Sequence, residues 1–525
     1  MQSPIEGLRL EPLPGAAPAW RSLCAAGQWL TAGEAIAASG GRLGALWASD
    51  ERDAGDGRGA RGGLSVHALF VTYEGLLWLE LPVDESAPAY PDLSGIFPCA
   101  KRMQRAAFDL VGLRALSPDG NSPDERGWLR HGAWAADVHP LRRDIALGQR
   151  LAPGDPRYAF VAVEGEGVHE IPVGPVHAGT IEPGHFRFSI VGERVLRLEE
   201  RLGYKHKGIE KRFESMSLTE GARLAGRVSG DCTVAYAWAY AMALESMAGA
   251  RPGARALHLR ALLLERERIA NHLGDLGFIG NDGGLAFGLA QFSRLKEDLL
   301  RTNAALFGHR YLMDRIVPGG VAIDVDERAL EAILAECTRI RAELRTLRAI
   351  YYDHAGLQDR CIGCGHLSPQ TAAMLGVVGL AARASGHAMD ARVHPGLAPY
   401  PELEPKIATH RNGDVAARIV VRFEEAFESI ELQRRILRNL PHGDLRAPLA
   451  EPPPGAWGLG WIESWRGEVL VALQSGPGGR IRRCHPHDPS WQNWPALEYA
   501  VLGSIVPDFP LINKSFNLSY AGADL

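Results

Sequence analysis

The sequence predicts an α+β protein built of two units, a small mixed unit over residues 1–155 and a mainly helical unit with β edges over residues 156–525. Three observations carry this. The chain has 525 residues, more than one ordinary core accommodates. Its first 150 or so residues mix short apolar stretches with glycine-rich turns, whereas beyond about residue 157 apolar positions recur at three-to-four spacing over long stretches. The tract from Leu147 to Pro156, LGQRLAPGDP, lies between the two and is rich in turn formers.

In the first unit, DERDAGDGRGARGG (50–63) reads as a polar loop. ALFVTYEGLLWLELPV (68–83) is apolar and aromatic, and reads as a strand pair broken at Glu74-Gly75. The second unit opens on a β-like, glycine-rich segment that ends near Tyr204. Amphipathic helices are expected over 233–249, 255–275, 327–352 and 417–440, with Asp326 as the cap of the third. EVLVALQS (468–475) reads as a strand, GPGG (476–479) as a turn, and a short helical stretch closes the chain.

Hydrophobic content of 46% and charged content of 23% are those of a globular protein. A net charge of −5 and a pI near 6.4 point away from nucleic acid. There is no apolar run of eighteen residues, so no membrane span is expected. MQSPIEGLRLEPLPG has no basic-then-apolar pattern, so no secretory signal is expected. Seven scattered cysteines fit reduced thiols in a cytoplasmic setting. Cys361-Ile362-Gly363-Cys364 is a single C-x-x-C without the second pair a zinc site needs, and Cys484-His485-Pro486-His487 reads as a strand-to-loop edge. Gly40-Gly41-Arg42-Leu43-Gly44 follows no convincing strand, so no dinucleotide site is expected.

The chemistry-bearing motifs lie in the second unit. Near its start stand Gly174-Pro175-Val176-His177 and, further on, Gly203-Tyr204-Lys205-His206-Lys207-Gly208-Ile209-Glu210-Lys211. Arg227-Val228-Ser229-Gly230-Asp231-Cys232 follows, then Arg268-Ile269-Ala270-Asn271-His272-Leu273, and the chain ends on Ser519-Tyr520-Ala521-Gly522-Ala523-Asp524-Leu525. In this order and spacing they resemble the family shared by [NiFe]-hydrogenase large subunits and the quinone-site subunit of respiratory complex I. In the first unit, Gln104-Arg105-Ala106-Ala107-Phe108-Asp109-Leu110-Val111-Gly112 and His139-Pro140-Leu141-Arg142-Arg143-Asp144 resemble the small subunit that partners it. The fusion is similar to the large subunits of hydrogenase-4 and formate hydrogenlyase, so the second unit is expected to be hydrogenase-large-subunit-like.

The family's four nickel-ligand cysteines align with Ser229, Cys232, Ser519 and Gly522. A hydroxyl is a far weaker soft-metal ligand than a thiolate, and glycine offers none, so nickel is expected to be absent. The resemblance implies a subunit of a complex-I-like, energy-converting, membrane-bound oxidoreductase. It would sit peripherally on the cytoplasmic face of the membrane. Its expected partners are a small subunit with a four-iron–four-sulfur cluster, a ferredoxin-like subunit and antiporter-like membrane subunits, with a quinone as a candidate acceptor. The alternatives are a working hydrogenase and a non-catalytic scaffold.

His185, Asp231 and Asp282 are the candidate proton-handling residues, because quinone-type reduction consumes protons. The bland readings are a loop histidine, a solvated turn residue and an Asp-Gly-Gly turn. His177, His206, Arg268 and His272 are the candidate cofactor-side residues, set against an interface role for His206 and a buried Arg–carboxylate pair for Arg268. The tyrosine that assists quinone in complex I aligns with Gly230, and Tyr236 and Tyr240 read as helix packing.

Overall fold

A computed structural model describes residues 3–52, 63–176 and 181–525. The first unit is built on a five-stranded sheet. In spatial order its strands are Glu11–Leu13, Ala19–Leu23, Gly75–Asp84, Gly63–Thr72 and Arg42–Asp50. The expected hairpin is there, with Thr72 opposite Gly75 across the Glu74 turn. The helix Ala100–Val111 lies along the strand Arg42–Asp50. The Gln104–Gly112 motif acts as a set of clamps. Gln104 accepts from Leu93 N at 2.9 Å, and the Asp109 carboxylate accepts from Trp128 N at 2.6 Å and Leu129 N at 2.7 Å.

Residues 151–164 cross to the second unit without regular secondary structure. A three-stranded antiparallel sheet follows, with strands Val168–Val173, His185–Val191 and Arg194–Arg201. Long helices come next: Thr233–Ala248, Ala254–Asp282, Ala286–Phe307, Glu327–Asp353 and Val415–Arg438. Asp326 caps the fourth by accepting from Ala329 N at 2.7 Å. Two helices differ from the sequence reading. Ala254–Asp282 runs seven residues further than expected, so Asp282 is the last residue of a helix rather than part of a free turn. Ala286–Phe307 went unforeseen, its opening hidden by Gly283, Gly284 and Gly288. Gly288 is required there because a Cβ would lie 2.8 Å from the Tyr351 hydroxyl.

A second three-stranded sheet, Trp457–Glu463, Glu468–Ser475 and Ile481–His487, backs the helix Thr233–Ala248. The approach is unusually close. A Cβ on Gly458 would meet Ala243 O at 2.0 Å, and one on Gly460 would meet Ala239 O at 1.8 Å. Glycine strand against alanine-rich helix lets backbone touch backbone.

The same sheet receives the first unit. Trp47 is sandwiched between His67 (5.0 Å) and His485 (4.9 Å), with both pairs stacked. Arg482 donates to Arg52 O at 2.8 Å and Arg483 to Ala48 O at 3.0 Å. One hydrophobic core therefore runs through both units. Among the described residues, no helix is long and apolar enough to cross a membrane.

Candidate functional site

The two segments that align with the nickel ligands meet in space. Ser519 is the N-cap of the last helix, Tyr520–Asp524, and its Oγ accepts from Gly522 N at 2.9 Å. Ser519 Oγ lies 3.0 Å from Ser229 Oγ, and Ser229 donates to Asp231 Oδ1 at 2.6 Å. A hydroxyl has one proton to give. Ser229 gives its proton to the carboxylate, so Ser519 must donate to Ser229, and the chain has one direction.

The chain ends on Arg466, which follows the strand Trp457–Glu463. Its Nη2 donates to Asp231 Oδ2 at 2.6 Å, its Nη1 to Cys232 Sγ at 3.2 Å and its Nε to Asn517 O at 2.7 Å. The guanidinium stands 4.1 Å over the Trp465 ring. It is a planar fork bonded at every edge, a use lysine could not replace. Burial pushes the Cys232 thiol far up, so it stays a thiol and accepts from Arg466. Burial also acts to raise the Asp231 carboxyl, but Arg466 and the Ser229 hydroxyl outweigh it and hold it below its ordinary value. Asp231 is therefore a fixed anion at neutral pH.

Behind Gly522 sits Asp488, fully buried, which accepts from the Tyr236 hydroxyl at 2.7 Å and from Ser490 N at 2.8 Å. A Cβ on residue 522 would lie 2.1 Å from Asp488 Oδ2. These residues do not fit a nickel–iron centre. One thiol, two bonded hydroxyls and a glycine replace four thiolates, and the guanidinium is bonded to the one sulfur. Among the described residues, no three His, Cys, Asp or Glu side chains come together as metal ligands would.

On the open side of Asp231 lies a cavity of about 320 Å³. Ser229, Asp231, Asp275, Arg466, Ser519 and Tyr520 are among the residues on its wall. Asp275 is held by Arg422 (2.9 Å) and Asn517 (2.6 Å).

The other sequence candidates fall elsewhere. His177 lies outside the described residues. His185 is the first residue of its strand, and its ring packs on Phe160 at 5.0 Å, away from the cavity wall. Strand alternation explains this. The preceding Gly184 faces Tyr520, where a Cβ would come within 2.6 Å, so residue 185 points the other way. Asp282 lies at the helix end, two turns beyond Asp275 and off the cavity wall. Burial raises its carboxyl. His206 Nδ1 donates to Asp524 O at 2.8 Å, beside Trp134.

Arg268 and His272 are fully buried and brace the turn that carries Arg466. Arg268 donates to Ser464 O and Glu463 O, both at 2.8 Å, and also pairs with Glu265 at 3.1 Å. His272 bonds Glu425 at 2.9 Å and meets Trp465 edge-on at 6.2 Å, and Trp465 in turn donates to Asp231 O at 2.9 Å. Sequence reasoning missed Arg466, Asp488 and Asp275, and read Tyr236 as packing alone. Only the fold brings these four to the aligned serines.

Glu267 adds a pH dependence. It accepts from Val234 N (2.7 Å) and Ala235 N (3.3 Å) at the start of the helix Thr233–Ala248, yet burial pushes its carboxyl up to about 8. A carboxyl whose folded value exceeds its unfolded value contributes stability that is lost as pH rises through the folded value. Above about pH 7, histidines that fold in neutral form no longer bind protons in the unfolded chain either. Thermal stability should therefore fall as pH rises from 7 to about 8, and Glu267→Gln should flatten that fall. A variant with the wild-type slope, measured by thermal melts across the window, removes the assignment.

The fold and the comparisons together define a class: a complex-I-type fused large subunit. A family model described as the respiratory-chain NADH dehydrogenase 49 Kd subunit matches residues 282–456, and that of the 30 Kd subunit matches residues 24–150. Formate hydrogenlyase subunit 5 of Escherichia coli (strain K12) is 31% identical over 495 residues, covering 92% of this chain and 85% of the relative. Hydrogenase-4 component G of the same organism is 31% identical over 447 residues, covering 84% and 77%. A chain in a structure of the membrane-bound sulfane sulfur reductase, an archaeal respiratory membrane complex, shares the fold. Its TM-score is 0.65 at 23% identity, covering 69% of this chain and 99% of that one. The chain belongs to the family of group-4 hydrogenase large subunits and NADH-quinone oxidoreductase C/D-type fusions, whose members are subunits of oxidoreductase complexes.

Proposed function

We propose that this chain is the large subunit of an energy-converting, membrane-bound oxidoreductase that works without nickel. Electrons arrive from a four-iron–four-sulfur cluster in a small partner subunit and pass to an acceptor, a quinone or another small molecule, held in the cavity beside Asp231. A ferredoxin-like subunit feeds that cluster. Antiporter-like membrane subunits couple the transfer to ion movement and hold the chain on the cytoplasmic face. The observation that carries this reading is the Ser519–Ser229–Asp231–Arg466–Cys232 chain, which binds up the positions a metal centre would need and leaves a polar cavity beside them.

Asp231 fixes the guanidinium at the cavity edge. Asp282, whose carboxyl burial raises above its ordinary value, is the candidate proton source for the acceptor, two helical turns from the cavity wall at Asp275.

The test uses the purified complex. Nickel should fall well below one per complex, and hydrogen uptake with a viologen dye should be absent. Asp231→Asn keeps the shape but removes the charge that aligns Arg466. A charge-assisted hydrogen bond is worth about 1.5–3 kcal/mol, so turnover should drop about tenfold or more with assembly intact. Equimolar nickel restores the hydrogenase reading. Unchanged turnover in Asp231→Asn favours a scaffold.

A further inference from the structure

The cavity beside Asp231 carries positive charge that its own acids do not cancel. Each acid on its wall already has a cation. Asp231 has Arg466 at 2.6 Å, Asp275 has Arg422 at 2.9 Å, and Glu182 has Lys205 at 3.5 Å. Lys296 and Lys514 are on the same wall. Among the described residues, neither has a carboxylate within ion-pair distance. The acid that feels Lys514 is Asp282, and it does so from beyond that distance.

The two ammonium groups are delivered to one face of the helix Ala254–Asp282. Lys296 reaches over Gly274 from the helix Ala286–Phe307, and a Cβ on residue 274 would stand 2.8 Å from Lys296 Nζ and 3.3 Å from Cδ. Lys514, from the helix Phe509–Phe516, places Nζ 5.0 Å from the centre of the Phe278 ring. Gly274 and Phe278 are one helical turn apart, so both charges converge on the same stretch of wall. Glycine inside a helix costs about 1 kcal/mol relative to alanine. At 274 its small size is what lets the lysine cross.

We infer that the ligand of this cavity is a small anion rather than a neutral quinone. Unpaired cations in a recess focus field on the space between them and raise the local concentration of anions. A volume of about 320 Å³ lies at the low end of small-ligand sites. It has room for a small anion together with bound water. The inference rests on the reading of this cavity as the acceptor site, and it adds the acceptor's charge.

The test is calorimetric titration of the purified complex with formate, with sulfite and, for contrast, with the neutral short-chain quinone decylubiquinone. At least one anion should bind, more weakly as salt is raised. Lys296→Gln and Lys514→Gln should each weaken it about five- to tenfold. Gly274→Ala, which displaces Lys296 but keeps its charge, should weaken it too. Binding of neither anion up to 10 mM or so, or anion affinity untouched by all three variants, overturns the inference. So does quinone binding that excess anion does not displace. Filling the cavity with Gly230→Leu, a wall residue whose Cβ would meet nothing nearer than Met313 at 4.0 Å, separates the two claims. If turnover survives the plug, the acceptor-site reading fails, while lysine-dependent anion binding still upholds the inference. If turnover dies with the plug but the lysines prove irrelevant, only the inference falls.

Discussion

Replacing Gly522 with alanine should unsettle the whole centre, and leucine should abolish turnover. The alanine Cβ would lie 2.1 Å from Asp488 Oδ2 and 2.9 Å from Ser519 Oγ. Asp488 cannot simply swing away. It is fully buried and holds the Tyr236 hydroxyl and Ser490 N. Overpacking of a dense site costs about 1–3 kcal/mol, and displacing a buried carboxylate from its donors adds to that. A drop of about 2–4 kcal/mol is expected for alanine, read from urea unfolding of the purified chain. Ser519→Ala, which removes only a cap and one bond, should cost about 1 kcal/mol. If Gly522→Ala matches wild type in stability and turnover, the Asp488 arrangement is wrong.

The second large effect lies deeper. Arg383 is fully buried and donates to Glu425 and Glu463, each at 2.7 Å, with Asp390 at 3.7 Å. Burial acts to raise the Glu425 carboxyl, but Arg383 and the bond from His272 outweigh it and hold it well below its ordinary value. Arg383→Met would strand Glu463 in the core and leave Glu425 with His272 alone, while Asp390 keeps Arg392 at 2.7 Å. Removing one partner of a buried ion cluster costs about 3–5 kcal/mol. The expected result is a large fall in unfolding free energy or failure to accumulate as folded chain. Arg383→Lys should recover only part of the loss, because one ammonium cannot serve two separate carboxylates with the same geometry. A loss under 1 kcal/mol for Arg383→Met would show that the cluster is not what holds these helices together.

Local signals read well in this chain. The Glu74-Gly75 hairpin, the Asp326 cap and the strand Glu468–Ser475 follow from patterns a few residues long. The aligned serines could be found because they are adjacent to their motifs. What completes the site could not. Arg466 comes from a turn after a strand and Asp488 from the end of another, each more than 230 residues from Asp231 or Tyr236. No spacing rule connects them. The order of the motifs pointed to His185, but order does not fix which face of a strand a side chain takes, and one residue of register sent it to the far side of Gly184. Arg268 and His272 were legible as a pair on one helix face. That they brace the Arg466 turn depended on the strand they meet.

The Trp47 sandwich has a consequence for how the chain is made. The surface that covers Trp47 and the carbonyls of Ala48 and Arg52 comes from residues 482–485, and the Arg482–Arg52 bond spans 430 positions. At about 5–20 residues per second, a ribosome needs roughly 20–90 s to cover that distance. For that interval the first unit has its sheet but not its cover, with a tryptophan and a buried-type histidine facing solvent. The nascent chain therefore has a built-in waiting period, and its yield should depend on elongation speed and on chaperones that shield that one face until the last strand arrives.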